Sequence, residues 1–517
     1  MMTENSANRA GLREWIGLAV LVLPTLLLSV DVSVLHLAVP MLSADLRPSS
    51  TELLWINDSY GFLIAGFLLT MGALGDRYGR KRLLLVGAAA FGAASTLAAY
   101  APTAELLILA RALLGIAGAT LMPSTLSLIR TMFHDPAQRT VAISVWMTGF
   151  TGGMLAGPLI GGLLLEHYWW GSVFLLAVPV MAVLLLVGPW LLPEHRDQAT
   201  GRIDPTSVLV SLAGILALVY GFKQLAAEGV SGWPALALLA GLALIAVFVR
   251  RQRTLAEPLL DLRLFADRRF SVSLGTLALV ILVGPGLGLL SAQYLQLVLG
   301  LTPLRAGLWM LPQTVAVVVG FLMAPALARR LGPGTVAAAG LVISAGGLWV
   351  ITLAGTDSGP GALAAGLAVF FLGASPLLVL GTDLVVGAAP PEQAGAASAV
   401  SETAQELGGA LGLAVFGSIA NVVYRHHLSV PPETPPEVAA SARDTLGAAV
   451  DSAAHLPDGL AEAILTTAKG AFTSGLHTAA VAGSVLLLLA AVLSATLLRR
   501  AAPATAEQPA EPVAQQA

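Results

Sequence analysis

Residues 15–40 read WIGLAVLVLPTLLLSVDVSVLHLAVP. Two ionisable groups, Asp31 and His36, stand in a run otherwise apolar and long enough to cross about 30 Å of hydrocarbon, for which roughly 20 helical residues suffice. The run is too long for a signal-peptide core, lacks a small-residue cleavage site and is followed by others like it, so it reads as a retained first span. Thirteen further stretches qualify: 52–74, 83–101, 105–129, 140–165, 172–192, 205–222, 233–252, 270–297, 304–327, 333–354, 361–386, 396–424 and 474–498. Short polar punctuation separates most of them.

Composition requires the same environment. Of 517 residues 56% are apolar and 11% charged, against roughly a quarter charged in soluble chains. Such a chain cannot cover a water-facing surface, so the lipid bilayer is its main solvent and an all-α integral membrane fold is expected. The net charge of −3 says little, because position matters more than sum. With no cysteine, disulfides, thiolate chemistry and cysteine metal sites are excluded. No Gly-rich phosphate loop followed by Lys-Ser/Thr is present, and nothing points to nucleic acid. The eight histidines show no ligand spacing, so no metal and no enzyme chemistry is expected.

Basic residues set the orientation. With the N-terminus inside, inner segments hold 20 Lys plus Arg and outer segments six, counting Lys223 among the outer ones. Both termini are therefore expected in the cytoplasm. The spans divide as six, two and six: a cytoplasmic N-terminus (1–14), a bundle (15–192), two linker spans (205–252), a basic cytoplasmic loop (253–269) and a second bundle (270–498). The second bundle carries an outer loop at 425–473, Ala-rich and amphipathic, where short capping helices are expected. The tail 499–517, rich in Ala, Pro, Glu and Gln, reads as disordered.

Charged groups at mid-span cost roughly 2.5–3.5 kcal/mol each, so those retained face a cavity, pair or protonate. Asp31, Asp58, Asp383, Glu402 and Glu406 are the acids at stake. Burial suits Asp31 to carrying a proton, or to a structural hydrogen bond with a neighbouring helix. Asp58 shares a helical face with Trp55 and Phe62, an arrangement that attracts a lipophilic cation by charge and ring quadrupole together. Glu402 and Glu406, four apart, share another face. Arg111, a turn or two inside the fourth span, must pair with an acid or with backbone carbonyls. Gly153, Gly157, Pro158, Gly161 and Gly162 form a stripe of small residues that lets a neighbouring helix approach closely.

These residues resemble the major facilitator superfamily. Gly72-Ala73-Leu74-Gly75-Asp76-Arg77-Tyr78-Gly79-Arg80-Lys81 is similar to the family's loop between the second and third spans. Arg111 with Gly115 and Gly118 resembles the fourth-span motif, and Gly153-x-x-x-Gly157-Pro158-x-x-Gly161-Gly162 the fifth-span motif of antiporters. The stretch from Asp31 to Pro40 resembles the first-span motif of the fourteen-span drug:proton antiporters of the EmrB/QacA type. Ser33 and His36 depart from it, standing where the family has Thr and Asn. A titratable group five residues after Asp31 bears on the pH dependence of coupling.

The resemblance implies two six-helix bundles plus two extra helices around a central cavity, working as a monomer in a bacterial plasma membrane. It implies export of lipophilic, cationic drugs in exchange for protons, with the proton gradient as energy source and no cofactor. Proton coupling falls to Asp31, Asp58, Arg111, Glu402 and Glu406. Substrate contact falls to Asp58, Trp55, Phe62, Trp146, Phe150 and Glu402. A conformational switch falls to Gly72, Asp76, Arg77, Gly79, Arg80 and Lys81. A dedicated exporter of one endogenous metabolite or antibiotic is the alternative.

Overall fold

The computed structural model describes residues 10–194, 204–228, 232–255, 258–390 and 393–499, and every regular element among them is helical. Lipid offers backbone groups no partners, so each span closes its hydrogen bonds within itself. In chain order the α-helices are α1 (Leu12–Leu46), α2 (Ser50–Tyr78), α3 (Arg80–Ala99), α4 (Ala104–Met132), α5 (Pro136–His167), α6 (Ser172–Leu175) and α7 (Ala177–Leu191). Then come α8 (Pro205–Glu228), α9 (Gly232–Gln252), α10 (Arg268–Gln293), α11 (Pro303–Leu331), α12 (Pro333–Ile351), α13 (Gly361–Ala388) and α14 (Ala394–His427). The last three are α15 (Pro436–Asp444), α16 (Leu446–Ala453) and α17 (Asp458–Arg499). With α6 and α7 forming one span, fourteen helices are long and apolar enough to cross a membrane. The residues before Ala10, Arg196, Arg202 and the tail beyond Arg499 lie outside the described residues.

Helix starts follow the sequence. Ser49 and Glu52 form a capping box at α2, and Thr103, Asp135 and Thr302 cap α4, α5 and α11. The expected loop between the second and third spans is barely a loop. α2 runs through Asp76 and Arg77 to Tyr78, and a single residue, Gly79 with φ 105°, turns the chain into α3. Gly332, with φ 79°, does the same between α11 and α12. Positive φ is costly for residues with a Cβ, so each turn depends on its glycine.

The matching turns belong to a larger repeat. α1 packs on α5, α2 on α4, and α3 on α4 and α7; likewise α10 packs on α14, α11 on α13, and α12 on α13 and α17. One core, with Phe91, Phe133 and Phe174 buried, fills the first half and reaches Phe321 and Ala324 of α11; another, with Tyr294, Phe370 and Phe416, fills the second half. The two linker helices pair with each other, and α8 lies against both α2 and α14. At the α8–α9 base Arg251 grips Asp204 with bonds of 2.6 and 3.0 Å. Those bonds, with Ser207 adding its own, hold the Asp204 carboxyl well below the usual carboxylate range.

The halves are bonded together at the Gly79 end. Asp76 accepts the backbone N–H groups of Gly395 and Ala396 at 2.9 and 2.8 Å. Arg139 pairs with Asp383 at 2.5 Å, and Arg130 donates to the Ala389 carbonyl at 2.6 Å. At the far end, the 425–473 stretch, where short helices are expected, is mainly helical. α14 continues to His427, α15 and α16 follow, and α17 starts at Asp458, sixteen residues before the expected span. At 1.5 Å per residue its 42 residues reach about 63 Å, roughly twice the hydrocarbon thickness. Its first turns therefore project beyond the bilayer, with α16 packed against them.

Close helix approach depends on absent side chains. A Cβ at Gly366 in α13 would stand 2.6 Å from Ile351 Cγ1 and 2.7 Å from the Gly347 carbonyl oxygen of α12. Gly366→Leu is expected to lower the thermal unfolding midpoint in detergent, at a cost of about 1–3 kcal/mol of overpacking. Gly275→Leu, at a glycine with nothing within 4 Å, should leave the midpoint in place. Equal melting of the two variants would contradict this packing.

Candidate translocation site

Glycines on α5 and α4 set the distances on which the first cluster depends. A Cβ at Gly157 would collide with Ser33 Oγ, and one at Gly153 with Ser29 Oγ and the Leu26 carbonyl, so α1 rests directly on α5. Gly115 plays the same part between α4 and α2, where its Cβ would stand 2.5 Å from the Tyr60 carbonyl oxygen. These approaches bring Arg111 of α4 to Asp31 of α1. Arg111 Nη1 donates to Asp31 Oδ2 at 2.5 Å, and its Nε donates to the Ile56 carbonyl at 3.2 Å. The guanidinium also lies over the Tyr60 ring, 4.5 Å from its centroid. Arg111 is 1% exposed and Asp31 9%. The pair sets a delocalised, planar cation against a single buried carboxylate. Adding a proton to Asp31 would remove its half of the ion pair and leave Arg111 to the carbonyl and the ring.

A second cluster gathers on α2 and α8. Asp58 does share its face with Trp55 and Phe62, whose ring centroids are 6.2 Å apart, and Tyr220 of α8 lies 6.5 Å from Phe62. Lys223 completes the group. Its Nζ donates to Asp58 Oδ1 at 2.7 Å and stands 4.6 Å from the Phe62 ring centroid. Lys223 lies within α8, which continues past the hydropathy boundary at 222 to Glu228.

Glu402 and Glu406 sit one turn apart on α14, with Glu402 buried and Glu406 exposed. α14 packs on α2, α4 and α8 of the first half and the linker and on α10, α13 and α17 of its own half. Phe150 is partly buried at the edge of the first core. Trp146 is 3% exposed and donates its indole N–H to Thr125 Oγ1 at 3.1 Å, bracing α4 against α5 and offering no open ring face. Gly161 would meet Val34 of α1, whereas Gly162 is exposed with nothing near it, so the glycine stripe is one helix face and Gly162 lies off it. The side chains of His36 and Pro158 lie outside the described residues.

The switch residues divide by role. Asp76 holds the N-terminus of α14, where unpaired N–H groups and the helix dipole favour an anion. Arg80 pairs with Asp76 at 2.9 Å and donates to Thr131 Oγ1 at 3.1 Å. Gly72 permits the contact, because a Cβ there would reach Ala399 and the Gly395 carbonyl of α14. Lys81 donates to the Pro189 carbonyl at 3.0 Å, and Arg77 covers the Tyr78 ring at 5.3 Å. Asp383, weighed as an intramembrane acid, is bound by Arg139 and by Thr140 Oγ1 at 2.7 Å, so it belongs to the bonds between the halves. Among the described residues no group of three His, Cys, Asp or Glu could hold a metal.

Arg139, Thr140, Arg130 and Lys223 were not singled out by the sequence. Lys223 left a signal: it is one of three lysines in the chain and directly follows an apolar run.

The family model described as Major Facilitator Superfamily matches residues 21–413. The multidrug efflux pump LfrA of Mycolicibacterium smegmatis is 44% identical over 495 residues, covering 96% of this chain and 98% of LfrA. The methyl viologen resistance protein SmvA of Salmonella typhimurium is 38% identical, with 92% and 97% covered. The tetracenomycin C resistance and export protein of Streptomyces glaucescens is 32% identical, with 95% and 93% covered. Among solved structures, the human organic anion transporter MFSD10 (TETRAN) superposes with a TM-score of 0.57 at 16% identity, over 93% of this chain and 98% of that one. This last likeness concerns the fold.

Proposed function

The chain belongs to the Major Facilitator Superfamily, and on that premise we propose that it exports lipophilic, cationic drugs across a bacterial plasma membrane in exchange for protons. The observation that carries the proton half is the buried Asp31–Arg111 pair, one titratable partner facing a fixed charge. The drug half is supported by the carboxylate and aromatic rings of Asp58, Trp55, Phe62 and Tyr220. It is supported too by relatives along nearly the whole chain that are named for multidrug efflux and methyl viologen resistance.

The excess of basic residues on the side of the Gly79 end supports a cytoplasmic position for that end and for both termini. With the halves bonded at that end, the cavity between them opens outward. Protons reach Asp31 from outside, and drug leaves. Rocking of the halves breaks the Asp76 and Asp383 contacts, opens the cytoplasmic side, releases protons and admits the next drug. One proton crossing about 100 mV supplies roughly 2.3 kcal/mol, enough for a drug gradient of order fifty-fold. Dedicated export of one antibiotic is the second reading, favoured by the 32% identical relative named for tetracenomycin C; the 44% identical relative named for multidrug efflux favours the first.

The test is ethidium movement in proteoliposomes holding the purified chain under an imposed pH gradient. Movement that follows the gradient and stops when an uncoupler is added is the expected result. Movement indifferent to the gradient would remove the proton. No movement of ethidium or other cationic dyes, with folding verified, would leave the dedicated exporter.

A further inference from the structure

The cation-attracting site on α2 already holds a cation. The Lys223 ammonium meets the Asp58 carboxylate at 2.7 Å and the Phe62 ring face at 4.6 Å, the two partners that a lipophilic drug's positive nitrogen would use. The pair is not sealed in. Lys223 is 34% exposed and Asp58 29%, and Trp55 beside them presents an open face. A lysine that served only to fix α8 would gain nothing from that openness, because α8 is already seated by apolar contacts of Ile215, Val219 and Leu216 with Phe62, Ala65 and Leu407. The ammonium also has a second acid to turn to. Glu406 stands on α14, on the other half of the molecule, next to Leu407, which packs against the cluster of Phe62, Ile215 and Val219.

We propose that Lys223 is a tethered competitor for the substrate's cationic group: it occupies the Asp58–Phe62 site in the empty carrier, and a substrate binds there by displacing it toward Glu406. The inference rests on the reading of this chain as an exporter of cationic drugs. It makes the linker helix a determinant of substrate charge. A drug whose positive charge is held against aromatic surface replaces both of the lysine's contacts, whereas an uncharged lipophile replaces neither. The same competition ejects substrate, since the ammonium returns to Asp58 as the drug departs.

The test is equilibrium binding in detergent of ethidium and of the uncharged dye N-phenyl-1-naphthylamine to the full chain and to Lys223→Met, Lys223→Arg and Lys223→Met/Asp58→Asn, with thermal melts as a folding check. Removing the competitor is expected to tighten ethidium about tenfold, the worth of one partly exposed ion pair plus a cation–π contact. Uncharged dye should bind the parent and Lys223→Met alike, Lys223→Arg should behave as the parent, and the gain should vanish once Asp58 is neutral. Ethidium binding unchanged or weakened in a folded Lys223→Met would overturn the competitor, as would an equal gain for both dyes, while leaving the export reading in place. Ethidium bound by neither the parent nor Lys223→Met would sink the cationic-drug reading and this inference with it. Binding that appears only once the lysine is removed would support the competitor directly.

Discussion

Asp31→Asn is expected to reduce proton-driven accumulation of ethidium from the order of fifty-fold allowed by one proton per 100 mV to about unity. The amide keeps the shape of the side chain and cannot exchange a proton at any accessible pH. Energy input is lost, while the Asp58 cluster on α2 and α8 keeps its groups, so dye binding should survive. The substitution has a second effect, because it leaves Arg111 buried beside a neutral partner. Breaking a buried pair from one side costs about 3–5 kcal/mol, so the variant should also melt earlier. The double variant Asp31→Asn/Arg111→Met separates the two effects. It should regain most of the thermal stability and none of the accumulation. Proteoliposome uptake and detergent melts on the same preparations decide the matter. Accumulation surviving in Asp31→Asn would move proton carriage to another acid, Asp58 and Glu402 first.

Arg139→Ala should unfasten the Gly79 end. Arg139 and Asp383 are both largely buried and lie on opposite halves, so their contact exists only while that end is closed. Losing about 3 kcal/mol from one of two states shifts their ratio more than a hundredfold. Because the chain has no cysteine, Arg82→Cys and Arg330→Cys, both at exposed positions of this end, would carry the only two spin labels. The inter-label distance distribution is expected to move to longer values in Arg139→Ala and in Asp383→Asn. An unchanged distribution in both would mean that Asp76 at the start of α14 and Arg130 at the Ala389 carbonyl hold the halves without this pair.

These two clusters mark where sequence reading stops. The spans were legible because lipid enforces a length and a composition on every crossing segment. The Gly79 turn was legible because it is local. Asp31 could be read as out of place in an apolar run, but its partner lies 80 residues away, and only the approach of α1, α5, α2 and α4 across their glycines brings the two together. Asp383 finds Arg139 at a separation of 244 residues, so an acid near the end of a span gave no hint of a latch. Trp146 illustrates the converse: an aromatic within a span lines a cavity or fills a core according to its helix's rotation, which hydropathy does not encode. Lys223 was missed because hydropathy ends a span at the first charge, whereas the helix ends where its hydrogen bonds do. The same bias starts the last span at 474, which leaves the amphipathic first turns of α17 to the outer segment.

The position of α8 has one more consequence. The halves meet along two long seams, α2 against α14 and α5 against α11. α8 lies over the first, and no linker helix is packed over the second among the described residues. The molecule is therefore lopsided toward its own solvent. The α2–α14 seam is thus covered by α8, and the α5–α11 seam has no such cover among the described residues. Large apolar side chains stand exposed on both helices of that uncovered seam, Leu159 and Leu163 on α5 and Val315 and Leu322 on α11.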